Sequence, residues 1–263
     1  MAKLSAEASF LDLSDYGRPF ALFISKKLQH TSITPLHITY VFGLCGLTAI
    51  YFILQQQFVL AAIFIVVKCI IDAADGELAR VKNTPSYIGR YCDSIFDFFL
   101  NFGFLFAIFS VTDSSIWMML LAFFCLQLQG TLYNFYYVIL RHHSTGGDQT
   151  SKIFEIETPI ALGGESQKVV DIFFKIYFLC YGIFDKIIYK LDRNAADSRI
   201  FDSWFMTFVS IYGLGFQLLC IAVSLAFGLK EYIIPAVIVA TIFIPFLILL
   251  RISLYTSTTT KSL

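Results

Sequence analysis

No Asp, Glu, Lys or Arg interrupts residues 31–67. A helix crossing the hydrocarbon core of a bilayer needs ~20 mostly apolar residues, so this run is too long for one crossing. The tract Gln55-Gln56-Gln57 divides it into predicted spans at 36–54 and 58–74. A second charge-free run lies between Asp113 and Arg141 and predicts a span at 116–140. Apolar stretches predict three more, at 89–111, 203–227 and 232–250. Composition agrees. Hydrophobic residues make up 57% and charged residues 14% of the 263 positions, against ~45–50% and ~25% in soluble domains. A water-soluble fold of this length could not bury so much apolar surface. Disorder, collagen and a disulfide-rich scaffold are excluded on the same grounds. The expected fold is an all-α polytopic membrane protein with six transmembrane helices.

Basic residues orient it. With six spans both termini share a side, and 17 of the 19 Lys and Arg fall on that side or its loops. Lys230 is opposite and Lys68 is inside the second span. The asymmetry puts both termini in the cytoplasm. Two segments are amphipathic. Residues 18–29 start with Arg18-Pro19 and place Phe20, Phe23 and Ile24 on one face, predicting an interfacial helix within an N-terminal segment 1–30. Residues 168–192 have an uncharged core of only 176–184, too short to cross, and predict an in-plane cytoplasmic helix within a loop region of about 141–202, with a seventh span as the alternative. Residues 31–263 then form a single membrane domain. The six Cys lack paired spacing and read as small buried thiols. No secretory signal is expected in residues 1–30, and no basic tract points to nucleic acid.

Ionisable groups at membrane depth are costly and mark function. Here they concentrate between residues 72 and 97. Asp72 and Asp75 are three apart, and Asp93 and Asp97 four apart, so each pair shares a helix face. The turn at Asn83-Thr84-Pro85 is short enough to hold the two helices antiparallel. Four carboxylates can then converge near the cytoplasmic ends. Bare, they would repel; one or two hard divalent cations, Mg²⁺ or Mn²⁺, would relieve that and bridge substrate phosphates. Gly76, Ala79 and Gly89 leave room for a ligand near the backbone, and Arg80 offers a fork for phosphate. The chemistry implied is phosphoryl-type transfer. The competing structural reading pairs these acids with Arg80, Lys82 and Arg90.

The segment resembles the CDP-alcohol phosphotransferase family, whose signature is D-x2-D-G-x2-A-R-x8-G-x3-D-x3-D. All eight fixed positions match: Asp72, Asp75, Gly76, Ala79, Arg80, Gly89, Asp93 and Asp97. The resemblance implies a binuclear metal site on the four Asp, with Asp97 also the general base on the acceptor hydroxyl. It implies a CDP site shaped by Gly76, Ala79, Arg80 and Gly89, release of CMP, and a homodimer in the bilayer. The six-span layout and interfacial N-terminal helix also look like the family. One departure is visible. Members often carry Pro-Asn-x-x-Thr at the start of the first span, where this chain has Pro35-Leu36-His37-Ile38-Thr39. The expected activity is divalent-metal-dependent transfer of a phosphatidyl group from CDP-diacylglycerol or a similar liponucleotide to a small polar alcohol, in phospholipid synthesis. The membrane is a bacterial inner membrane or a eukaryotic endomembrane.

Weaker signals accompany this one. Gln127, Thr131, Asn134 and Arg141 form a polar stripe that either lines an acceptor pocket or ties helices together. His142 and His143 read as interfacial residues, and 163–166 as a turn rather than a phosphate loop. Two rival functions remain in view: a CDP-headgroup donor with a diradylglycerol acceptor, and a cation transporter using the four Asp. A non-catalytic paralogue is disfavoured by the intact motif.

Overall fold

The computed structural model describes residues 4, 8–145, 150–197 and 201–259. It is all-helical, with no strand among the described residues. Ten α-helices follow in order: α1 Arg18–Leu28, α2 Pro35–Leu54, α3 Phe58–Lys82, α4 Tyr87–Ser110, α5 Ile116–Thr145, α6 Gln167–Leu191, α7 Ser203–Val209, α8 Leu214–Ala226, α9 Lys230–Thr241 and α10 Ile244–Thr259. Among the described residues four helical stretches are long and apolar enough to cross a membrane: α2, α4, α5 and α9 with α10. The bent pair α7–α8 makes a fifth if counted as one crossing. The chain is an integral membrane protein. Its outer faces are apolar. Tyr40, Leu44, Leu47, Tyr51 and Leu54 make one exposed stripe on α2, and Phe99, Phe102 and Phe106 another on α4. Such continuous apolar surface suits lipid rather than water.

The predicted second span ends at 74, but α3 runs on to Lys82 and carries Asp72, Asp75, Glu77 and Arg80 as helix residues. Its C-cap, Asn83, takes the left-handed conformation (φ 53°), which Asn tolerates well. Ser86 then caps α4, accepting from the Gly89 amide at 2.8 Å. The turn therefore reverses the chain within a few residues. Close approach of α2 and α4 needs three glycines. A Cβ on Gly43, Gly46 or Gly103 would lie 2.7, 2.6 or 2.5 Å from Phe96, Leu100 or Ile50 respectively. Small residues at a membrane helix crossing serve this purpose. One core cluster joins α2, α3, α4, α8 and α9 through Phe42, Ile65, Phe104, Leu218 and Ile233. A second joins α5, α6, α7 and α10 through Tyr136, Ile188, Met206 and Leu247.

The predicted helix at 203–227 is two helices meeting at 52°. At the break, Gly213 and Gly215 lie against Ser14, whose hydroxyl accepts from the Gly215 amide at 3.1 Å. The segment 18–29 is helical as α1. Ala21 and Ser25 are buried on α3, the Ser25 hydroxyl donating to the Ala21 and Ala74 carbonyls, while Phe20 and Phe23 point outward. Helix α6 touches α4 through Tyr91–Tyr177 and Phe98–Tyr181, then α5 through Phe124–Phe184 and Tyr136–Asp192. Cys69, Cys92, Cys125 and Cys180 are buried free thiols, Cys45 is half-buried and Cys220 exposed. Lys3, Arg199 and Lys261, which entered the orientation argument, lie outside the described residues.

Candidate active site

The C-terminal end of α3 and the N-terminal end of α4 bring Asp72, Asp75 and Asp93 together, with one carboxylate oxygen from each within 4.8 Å of the others. Asp75 is buried and accepts from the Thr39 hydroxyl at 2.9 Å. Thr39 is the threonine of the Pro-x-x-x-Thr stretch opening α2, so that element acts by orienting a carboxylate. Asp93 Oδ1 is buried and has no hydrogen-bond partner among the described residues. An orphaned carboxylate oxygen inside a triad of acids is the donor set a hard divalent cation takes. These residues fit such an ion.

Asp97 lies outside that group. It is buried one turn beyond Asp93 and is ion-paired with Lys68, which also contacts Asp72 at 2.5 Å. Lys68 is fully buried and lies 4.7 Å from the centre of the Phe42 ring. Sequence reasoning assigned Lys68 no role. The available signal was a lone lysine in an apolar span four residues before an aspartate, a spacing that makes an ion pair on one helix face. The structure adds the partner that spacing could not show, Asp97 on the next helix.

A prediction follows from that burial. Removing one partner of a buried ion pair costs ~3–5 kcal/mol because a charge is left uncompensated. Lys68→Met should therefore lower the melting temperature by several degrees in EDTA. Because Asp72 is also a member of the triad, added Mn²⁺ should restore more stability to the variant than it adds to the parent. Equal stabilisation of both by Mn²⁺ would show that Lys68 and the triad are independent.

The basic residues of the motif do not pair with the four Asp. Arg80 binds buried Glu77 at 2.9 Å, and Arg18 reaches the same carboxylate at 3.4 Å. The Lys82 ammonium donates to the Thr31 and Ile33 carbonyls, both at 2.7 Å. Arg90 is held by Glu155 and the Thr150 carbonyl. The competing salt-bridge reading thus finds no support in these contacts. Gly76 is half-buried, and a Cβ there would meet the Arg80 guanidinium at 3.6 Å, so glycine and guanidinium form one surface beside the triad. Ala79 is also half-buried, whereas a Cβ on Gly89 would lie 3.2 Å from the Ser86 hydroxyl that caps α4.

Beside Asp93 opens a cavity of about 220 Å³ between α4, α5, α6 and the loop before α6. Thr131 and Asn134 of the polar stripe line it. Gln127 does not; it accepts from Asn101 at 3.4 Å and ties α5 to α4. The loop residue Glu155 and Asp185 of α6 also face the cavity. Neither was singled out from sequence, since both reach the site only through tertiary packing. The turn at 163–166 serves α4: Glu165 accepts from the Ser86 hydroxyl and the Ile88 amide at 2.7 and 2.9 Å. The two histidines contact loop carbonyls, His142 at Ser151 and His143 at Ala196.

The family model for CDP-alcohol phosphatidyltransferase matches residues 32–164, just over half of the chain and all of α2 to α5. The chain belongs to this family. A relative from Pyrococcus horikoshii, archaetidylinositol phosphate synthase, is 41% identical over 75 residues. That match covers 28% of this chain and 39% of the relative. The protein is therefore a transferase of phosphate-containing groups, a membrane enzyme of phospholipid synthesis. The family is known to use divalent metals, and the Asp triad is a place in this chain that could hold one.

Proposed function

We propose that the protein transfers a phosphatidyl group from CDP-diacylglycerol to a small polar alcohol and releases CMP. The observation that carries this is the Asp72, Asp75 and Asp93 triad between α3 and α4, open on one side to a polar cavity. Asp72, Asp75 and Asp93 would hold the divalent cation, Mg²⁺ or Mn²⁺, and Asp97 would join them if a second ion is present. When bound, the ion supplies positive charge to the donor diphosphate. The Gly76–Arg80 surface leaves space for the cytidine end, with Ala79 beside it and Gly89 fixing the start of α4. The acceptor hydroxyl enters from the cavity at Asp93. Its oxygen forms the new bond to the lipid-side phosphorus, the bond to CMP breaks, and Asp97 takes the hydroxyl proton. The six-span topology, cytoplasmic termini and homodimer belong to this reading. The relative named archaetidylinositol phosphate synthase supports an acceptor of the inositol or inositol phosphate kind.

Two measurements test it. The first is a donor exchange: CMP release from CDP-diacylglycerol with alcohols, against CDP-choline or CDP-ethanolamine with diacylglycerol. Turnover only with the second pair would reverse donor and acceptor. Ion flux without CMP release would favour the transporter. The second is Gly76→Leu. Its Cβ meets only the mobile end of Arg80, so the fold should survive. The side chain should fill the nucleotide space and raise the KM for CDP-diacylglycerol at least ~10-fold, equivalent to ~1.4 kcal/mol. Normal donor affinity would make Gly76 a packing residue.

A further inference from the structure

We infer that the Lys68 ammonium takes the place of a second metal ion, so that this chain's site holds one divalent cation on Asp72, Asp75 and Asp93 instead of two. The inference rests on the cation reading above and fixes the count. A second ion needs a ligand that the first does not use, together with a carboxylate bridging the two. Asp97 is the acid left over, since it lies outside the group whose oxygens converge within 4.8 Å. Lys68 already joins Asp97 to that group: its ammonium donates to Asp97 Oδ1 and, at 2.5 Å, to Asp72 Oδ2. Mg²⁺ sits ~2.1 Å from its ligand oxygens. An ion on the same two oxygens would fall against the ammonium nitrogen, positive charge on positive charge.

The ammonium has nowhere else to go. Lys68 is fully buried, and beyond the two carboxylates it meets the face of the Phe42 ring, 4.7 Å from the centroid. Its helical neighbours Ile65 and Cys69 belong with Phe42 and Leu100 to one apolar core cluster. A swing away from the acids would leave its charge there without a partner. With the ammonium satisfying Asp97 and sharing Asp72, the groups still in need of a counter-charge are Asp75, Asp93 and the other Asp72 oxygen, which one dication serves. Held in this way, Asp97 is kept off the ion and stays available to a substrate proton. Lys68 stands four residues ahead of Asp72, outside the eight fixed positions of the signature, so the exchange of ion for ammonium is a property of this chain.

The test is made on the full chain in phosphatidylcholine nanodiscs, without donor, because a diphosphate binds Mn²⁺ itself. Bound Mn²⁺ is counted by equilibrium dialysis, and its electron paramagnetic resonance spectrum is recorded. The expected result is one tight Mn²⁺ per chain with the six-line spectrum of an isolated ion. Two tight ions with the broadened spectrum of a coupled pair, ~3.5–4 Å apart as in two-metal sites, would overturn the proposal and leave the cation reading standing. No tight ion at all would overturn both. Lys68→Met frees the Asp72 and Asp97 oxygens, and this variant should take two ions and show the coupled spectrum. One uncoupled ion in the variant as well would mean that the ammonium is not what excludes the second. Where Lys68→Met does not fold, Lys68→Gln replaces it, since a neutral amide still donates to a carboxylate and the same gain of an ion is expected. The parent's count needs no variant and decides against the proposal by itself if it is two.

Discussion

Chelation by EDTA is expected to abolish CMP release, and Mg²⁺ or Mn²⁺ to restore it. Asp72, Asp75 and Asp93 present carboxylate oxygens within 4.8 Å of one another, and Lys68 contacts only the first of the three. A donor diphosphate would add at least two more negative charges to that pocket. Two unit charges 4 Å apart interact by ~4 kcal/mol at an effective dielectric of 20, so several such repulsions would prevent donor binding without a counter-cation. The loss should appear in donor affinity as well as turnover. Equilibrium binding of CDP-diacylglycerol with and without EDTA checks it. Full turnover in metal-free buffer would mean that the triad has another purpose.

Asp97→Asn is expected to lower turnover by ~10²–10⁴-fold, the usual loss on removing a general base. Asn keeps the size and leaves one oxygen to face Lys68, so the ion-pair partner is weakened rather than deleted. Donor affinity should therefore fall little. Asp93→Asn provides the contrast, since it alters the triad itself and should weaken Mn²⁺ and donor binding together. Single-turnover CMP release and donor affinity for both variants separate the roles. If Asp97→Asn loses metal and donor binding as badly as Asp93→Asn, Asp97 is a ligand and another group takes the proton.

The placement of this site was readable from residue spacing because helices convert spacing into geometry directly. Asp72 and Asp75 on one helix, Asp93 on the next and a short turn between them sufficed to predict convergence, and three carboxylates do converge. Asp97 departs for a reason invisible along the chain: Lys68 on α3 and Asp97 on α4 meet only once the helices pack. Glu155 reaches Arg90 across 65 residues, from a loop with no periodicity. The helix ends tell the same story. Charge and Gln tracts located α2 and the start of α3 closely, and the predicted span ended at 74, where the charges begin, whereas α3 continues as helix to Lys82. Its acids tolerate helix because α1, α2 and α4 enclose them. The breaks in 203–259 differ in kind. Gly213 yields to Ser14 of the N-terminal segment, a contact no local pattern reveals. The break between Thr241 and Ile244 precedes Pro245, whose ring clashes with the carbonyl four residues back and whose missing amide favours a helix start; that signal was present in the sequence.

The central claim is that phosphorus moves with the lipid. The direct measurement uses CDP-diacylglycerol labelled with ³²P at the lipid-side phosphate, incubated with the purified protein, Mn²⁺ and a panel of small polar alcohols. Label should appear in a new lipid carrying one of the alcohols, with unlabelled CMP released in equal amount. Label in phosphatidic acid with no alcohol-dependent lipid, or a donor left intact while CDP-choline and diacylglycerol react, would contradict it.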